Sequence, residues 1–221
     1  MAAGGGPRRP RARPGGGTGK LTASLVRRPG LAVTAVEPLA EMRERLQERL
    51  PQVTALAGTA EAIPMARGSA DVVVVGQAFH WFQPRAALAE IARVLVPGGV
   101  LGLLWNMRDD AEPWVEALSH AMGGAGDTAS QGIEEETAPV AADPRFTAVE
   151  LRSFTHAETF DRARLLALAA STSGVASLPP GQREQALAAV ERLAAEHPHL
   201  CGRETFPLPY RTDVARAVRA D

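Results

Sequence analysis

The sequence predicts an α/β domain built on a doubly wound, mostly parallel sheet, and three observations carry that expectation. Asp71 is followed by Val72, Val73, Val74 and Val75. Four consecutive β-branched residues leave no polar face, which suits a strand covered on both sides rather than a half-exposed antiparallel one. Short apolar runs alternate with charged, helix-patterned segments from Leu31 to Trp105, the pattern of repeated βα units. The valine run stops at Gly76 and delivers Gln77, Ala78, Phe79, His80, Trp81 and Phe82 to a carboxyl strand end, where open α/β sheets bind ligands. The competing reading puts Phe79, Trp81 and Phe82 in the core, with His80 capping a turn.

In chain order, residues 1–14 are rich in Gly, Pro and Arg and bury too little apolar surface to order themselves, so a disordered tail is expected there. Gly15 to Lys20 is a glycine-rich turn, and Leu21, Leu25 and Val26 follow at helical spacing. Leu31 to Val36 reads as a strand ending at Glu37-Pro38. Leu39 to Leu50 reads as a charged amphipathic helix with Leu39, Met42, Leu46 and Leu50 on one face. Val53 to Ala57 is a second short strand, ending at Gly58-Thr59-Ala60-Glu61. The valine strand, a helix from Arg85 to Leu95, the turn Pro97-Gly98-Gly99 and a buried strand from Val100 to Trp105 complete the alternation. Beyond Asn106 the expected elements are a helix from Pro113 to Met122 and a mobile, acidic excursion from Gly123 to Ala142. A strand from Val149 to Thr155, helices over 162–170 and 182–196, and a strand from Glu204 to Tyr210 follow. The two late strands predict an antiparallel hairpin finishing the sheet.

A chain of 221 residues accommodates one such domain with a sizeable core. The net charge of −1 conceals an asymmetry: no acid precedes Glu37, so the first 36 residues carry +7 and the remainder −8. Gly and Pro separate those arginines and no aromatic residue interleaves for base stacking, so nucleic acid is not the expected partner. Cys201 is the only cysteine, which excludes a disulfide framework and a cysteine-based metal site. His197 and His199 flank Pro198 at a helix end, a placement that suits capping, and no metal is expected. No apolar run has the length of a membrane span or a secretory leader. The expected setting is cytoplasmic.

Three strand ends supply the chemistry. Gly15, Gly17 and Gly19 would let backbone amides approach an anionic ligand at a helix start, or else form a flexible linker. Lys20 stands where a dinucleotide fingerprint needs its last glycine, and Leu21 follows Gly-Lys where a P-loop needs Ser or Thr. Glu37 can accept hydrogen bonds from both hydroxyls of a ribose and can equally serve as the acid at the next helix's N-terminus. Thr59-Ala60 is small enough to admit a flat base. Together with Gln77 to Phe82 these ends describe a nucleoside-containing ligand.

The chain resembles a class I S-adenosylmethionine-dependent methyltransferase of the methyltransferase-11-like, small-molecule type, from about Gly15 to Arg211. The motifs are Gly15 to Thr22, Ala35-Val36-Glu37-Pro38, Gly58 to Pro64, Ser69 to Phe82, and Arg93-Val94-Leu95-Val96-Pro97-Gly98-Gly99-Val100-Leu101. The resemblance implies a Rossmann-like fold with a cofactor half at 15–106 and a substrate, lid and C-terminal half at 107–221. It implies S-adenosylmethionine as cofactor, with Gly15, Gly17 and Gly19 at its methionine end and Glu37 on the ribose. Pro38, Thr59 and Ala60 would lie about the adenine, and Gln77 and Ala78 beside the sulfonium. Methyl transfer needs an in-line nucleophile held close and dry, so the absence of a catalytic triad is no objection. His80 is the catalytic candidate, as an imidazole able to take a proton from a small-molecule acceptor. The N-terminus departs from the family pattern. Arg11-Ala12-Arg13-Pro14 occupies the place of the apolar strand before the glycine loop, and the expectation is that this first central strand is missing from a degenerate or truncated N-terminus. A cofactor-binding homologue without turnover is therefore the alternative. A nicotinamide oxidoreductase shares the fold but not the glycine spacing.

Overall fold

The computed structural model describes residues 11–14, 19–123 and 133–220. Seven strands form one sheet in the order β3-β2-β1-β4-β5-β7-β6. They are β1 (Arg11–Pro14), β2 (Val33–Val36), β3 (Thr54–Leu56), β4 (Ala70–Gly76), β5 (Leu95–Arg108), β6 (Glu150–Phe160) and β7 (Phe206–Val218). Strands β3, β2, β1, β4 and β5 pair in parallel. Strand β7 reverses: Gly98 N–H donates to the Arg219 carbonyl near one end of β5, and Asp109 N–H to the Pro209 carbonyl near the other. The predicted fold class, including its antiparallel end, holds.

The expected gap at the centre does not. Arg11 to Pro14 pairs residue by residue with Val33 to Val36 on one side, and Ala12 pairs with Val73 on the other. Residues 11–14 therefore belong to the sheet and not to a disordered tail, while residues 1–10 lie outside the described residues. The physical reason is that a ladder is made by main-chain groups. Strands β2 and β4 each have an inner edge of N–H and C=O groups that must be paired when buried, and any extended segment can pair them. Pro14 is the last residue of β1, where its missing N–H interrupts the least of the ladder.

Two compact units are present, Met1–Trp105 with Gly132–Arg152 and Val214–Asp221, and Asn106–Gln131 with Ser153–Asp213. In the first unit, helices α1 (Lys20–Val26), α2 (Ala40–Arg49), α3 (Pro84–Val94) and α5 (Ile133–Ala141) accompany the parallel strands. The core is continuous from Val73, Val75, Leu101 and Leu103 on the sheet to Leu88, Ile91 and Val94 on α3 and Val140 on α5. Leu46 and Leu50 of the second predicted helix are buried, but Leu39 is 60% exposed because α2 begins one residue later. The predicted excursion at 123–142 is corrected in its second half: Ile133 to Ala141 is helical. Its Thr137 and Val140 are buried, three residues apart on one face, and Glu134, Glu135 and Glu136 occupy the first turn, where the helix dipole favours negative charge. Residues 124–132 lie outside the described residues.

The second unit has its own core. Trp114, Val115 and Leu118 of α4 (Pro113–Ala121) pack with Leu165 and Ala169 of α6 (Arg162–Ser171). Val175 of α7 (Ser173–Ala176) and Val190 and Ala194 of α8 (Pro180–Glu196) complete it. Asp161 starts α6 by accepting the Arg164 N–H at 2.7 Å, an N-cap of the expected type.

Candidate functional site

Parallel strands place their carboxyl ends on one sheet edge, so the topology gathers Pro14, Glu37, the segment after Leu56, Gln77 and Trp105 there. The site candidates on this edge all belong to the first unit.

Gly19 is buried at the entrance to α1 with φ +82°. A Cβ there would lie 3.4 Å from Leu46 Cγ and Leu50 Cδ1, so glycine serves both the left-handed turn and the close approach. Gly15 and Gly17 lie outside the described residues. Glu37, one residue past β2, is only 6% exposed. Its N–H donates to the Leu56 carbonyl at 3.0 Å and its Oε1 accepts the Leu39 N–H at 3.1 Å. The carboxylate is thus fixed at the start of α2, the second role foreseen for it, and remains on the carboxyl edge as the first role requires. Pro38 beside it is exposed.

After β3 the chain makes a compact turn in which Thr59 bridges Ala62. Thr59 is exposed and Ala60 buried. A Cβ at Gly58 would meet Pro64 Cδ at 2.6 Å, so the turn closes on itself only with glycine there. Helix α3 holds the turn from below. Arg93 donates to the Ile63 and Met65 carbonyls at 2.7 and 2.8 Å and to both carboxylate oxygens of Glu90 at 2.7 Å. Glu90 accepts the Ile63 N–H at 3.0 Å, and Glu61 accepts the Gln83 N–H at 2.9 Å. The Arg93 hydrogen bonds hold the Glu90 carboxyl below the usual carboxylate range against the opposing effect of burial, and Glu90 in turn raises the Arg93 guanidinium. The motif around Arg93 marked this region in the sequence, but its clamp on a turn 28 to 30 residues upstream leaves no local signal.

At the exit of β4, Gln77 has φ +55°, the sole positive φ at a non-glycine position among the described residues. Such backbone is costly and concentrates at functional sites. Its N–H donates to the Leu104 carbonyl at 2.9 Å, and Ala78 follows half-buried. A 3-10 turn over Phe79–Trp81 then divides the aromatic cluster. Phe79 is buried, edge-on to Phe82 with ring centroids 5.9 Å apart. Trp81 is 80% exposed, so it is no core residue. His80 stands between them, 40% exposed, with Nδ1 3.8 Å from Glu136 Oε1. Glu136 Oε2 accepts the Trp105 indole N–H at 2.8 Å. Glu136 and Trp105 are not among the sequence candidates, since Glu136 sits in the segment from Gly123 to Ala142 that reads as a mobile, acidic excursion.

A groove of about 810 Å³ lined by Pro84, Arg85, Leu88, Pro139 and Arg145, among others, contains none of the predicted site residues. Among the described residues no cluster of His, Cys, Asp and Glu could hold a metal ion.

A family profile for methyltransferase domains matches residues 13–103, the stretch that carries the carboxyl ends of β1, β2, β3 and β4. An uncharacterized methyltransferase of Mycobacterium tuberculosis is 43% identical over 206 residues, spanning 93% of this chain and 82% of that protein. Among solved structures, a candidate type II methyltransferase of Anaeromyxobacter dehalogenans superposes with a TM-score of 0.69 at 21% identity, over 98% of each chain. Geranyl diphosphate C-methyltransferase of Streptomyces coelicolor, solved with Mg2+, geranyl diphosphate and S-adenosylhomocysteine, gives 0.53 at 16% identity over 97% of this chain and 73% of its own. The structural likenesses establish the fold, and the 43% identity over most of both chains establishes descent: this chain belongs to the class I S-adenosylmethionine-dependent methyltransferase family.

Proposed function

We propose that this methyltransferase binds S-adenosylmethionine along the carboxyl edge of β1, β2, β3 and β4 and methylates a small-molecule acceptor on oxygen, nitrogen or carbon. The observation that carries the reading is Glu37, a carboxylate almost wholly buried and fixed at a strand end. A carboxylate accepts several hydrogen bonds at once, and two vicinal ribose hydroxyls are donors of the right kind and spacing for it at the sheet edge. Gly15, Gly17 and Gly19 take the methionine end. Pro38, Thr59 and Ala60 receive the adenine, the buried Ala60 leaving room for a flat ring. Gln77 and Ala78 pass the reacting centre, where the left-handed backbone at Gln77 turns the chain aside.

Bound there, S-adenosylmethionine supplies an activated methyl group on a sulfonium, so the protein's task is to orient the acceptor, exclude water and take a proton. His80 takes that proton. Trp81, exposed beside it with ring centroids 4.9 Å apart, offers an apolar face to the acceptor. The small-molecule class is also the class of the geranyl diphosphate enzyme that shares the fold. No helix among the described residues is long and apolar enough to cross a membrane, and we place the protein in the cytoplasm. The alternative of a homologue without turnover rested on a missing central strand, and β1 removes that ground.

Calorimetric titration with S-adenosylhomocysteine and with NAD tests cofactor choice, and transfer of labelled methyl from S-adenosylmethionine to a panel of small phenols, amines and prenyl compounds tests turnover. His80→Ala is expected to lower turnover about 10²-fold or more while sparing cofactor affinity. Binding of NAD in preference to S-adenosylhomocysteine would overturn the reading.

A further inference from the structure

We infer that Glu136, anchored by Trp105, is the positioning residue of His80. It accepts the Nδ1–H and thereby leaves Nε2 as the nitrogen that takes the acceptor's proton. The inference rests on the proposed role of His80 in methyl transfer.

Three elements build the arrangement within the first unit. Trp105 lies near the carboxyl end of β5, the strand parallel to β4, and its ring is buried. An indole N–H is a donor only, so at 2.8 Å it dictates that Glu136 Oε2 be an acceptor. The other oxygen, Oε1, is thereby turned towards His80 Nδ1, 3.8 Å away. That distance is one short side-chain rotation from a hydrogen bond, and such bonds in ligand-free sites commonly tighten when substrate binds. Glu136 itself is 14% exposed and His80 40%, so the carboxylate is sheltered while the imidazole is open to a ligand. Glu136 also sits in the first turn of α5. The His80 imidazole has the Glu136 carboxylate on its Nδ1 side and the neutral Trp81 ring beside it, with centroids 4.9 Å apart.

The chemistry follows from the tautomer. A neutral imidazole carries one proton, and the nitrogen facing an acceptor keeps it. With Glu136 on Nδ1, the lone pair is on Nε2. In the transfer, the acceptor's atom forms its bond to the methyl carbon and the carbon–sulfur bond breaks. That electron pair stays on sulfur to give neutral S-adenosylhomocysteine, and the acceptor's proton passes to Nε2. The imidazolium so formed is balanced by the Glu136 carboxylate, which keeps its own charge throughout.

The discriminating variant is Glu136→Gln. Because Trp105 must still donate, the amide oxygen stays on the indole, which turns the amide NH2 towards His80. A donor there calls for the lone pair on Nδ1, so the proton moves to Nε2. Imidazole 15N NMR of the cofactor-free protein at about pH 8, where an ordinary histidine is neutral, reads the tautomer directly, with His80→Gln assigning the resonance. The expected result is the Nδ1–H form in the wild type and the Nε2–H form in Glu136→Gln. Carbethoxylation of the His80 peptide, followed by mass spectrometry, should slow about tenfold in the variant as the Nε2 lone pair is lost. An Nε2–H tautomer in the wild type, or the same tautomer and the same modification rate in both proteins, would overturn the inference. If Glu136→Gln does not fold, Trp105→Phe removes the anchor and should give a mixture of tautomers, and an unmixed Nδ1–H form there overturns the anchoring role. Both readouts need no cofactor, so failure to bind S-adenosylhomocysteine defeats the proposed function without touching this result.

Discussion

Replacing Arg93 by Ala tests whether α3 governs the turn from Gly58 to Met65, which the proposed function assigns to the adenine. Arg93 donates to that turn's carbonyls at 2.7 Å to Ile63 and 2.8 Å to Met65, and its partner Glu90 holds the Ile63 N–H. The side chains of Arg93 and Glu90 are 27% and 23% exposed, so water can re-enter after truncation, and each lost charged hydrogen bond belongs near the lower bound of about 1.5 kcal/mol. Two carbonyl bonds then contribute about 3 kcal/mol, and the exposed part of the ion pair adds less than about 1 kcal/mol. For a chain of this size about 3 kcal/mol lowers Tm by roughly 6–12 °C. The turn carries Thr59 and Ala60. If the variant holds its binding geometry only about a tenth of the time, S-adenosylhomocysteine affinity falls about tenfold. Circular dichroism melting and calorimetric titration measure the two effects. A Tm within about 2 °C of wild type, less than 1 kcal/mol by the same scale, would refute the clamp. A full loss of stability with unchanged affinity would refute its link to the ligand.

Glu37→Gln retains a carbonyl for the Leu39 N–H while removing the charge, and should weaken S-adenosylhomocysteine binding more than about tenfold, since hydrogen bonds to a charged acceptor are worth about 1.5–3 kcal/mol each. An unchanged Kd by titration calorimetry would sink the ribose assignment. Ala12→Pro places proline at the centre of the sheet, where Ala12 pairs with both Thr34 and Val73. Urea unfolding should show a loss of about 2–3 kcal/mol, the scale of a buried backbone group left unpaired, and an unaffected midpoint would argue against β1. Acid should destabilise the fold through Glu90 and Asp143, whose carboxyls are held below their ordinary values of 4.5 and 3.8 by hydrogen bonds from Arg93 and Arg145. The unfolded chain takes up these protons first, so the stabilisation is complete above the ordinary values and fades as pH falls through the lower folded ones. Arg93→Ala should remove the Glu90 share of that acid sensitivity in a pH series of melting curves.

Much of this protein is written in its sequence because its governing signals are short-range. A run of four valines has no polar face wherever it is placed, so Val72 to Val75 reads as a buried strand, and β4 buries Val73, Val74 and Val75 with Val72 half-buried. Proline and glycine punctuate the helices at Pro84 and Pro113, which open α3 and α4, since proline's fixed φ suits a first turn. The order of strand ends in the sequence puts Glu37, Thr59, Ala60, Gln77 and His80 on one edge. The tertiary structure decided what depended on partners distant in the chain. Arginine and proline argued against a strand at 11–14, yet β2 and β4 left backbone edges that only an extended segment between them could satisfy. Three glutamates in a row read as part of a mobile excursion, yet burial of Val140 in the sheet's core accompanies a helix from Ile133 to Ala141 that brings Glu136 to Trp105 and His80, 31 and 56 residues away in sequence. Local composition reports what a segment prefers. Hydrogen-bonding groups that burial forbids to stay unpaired decide what it must do.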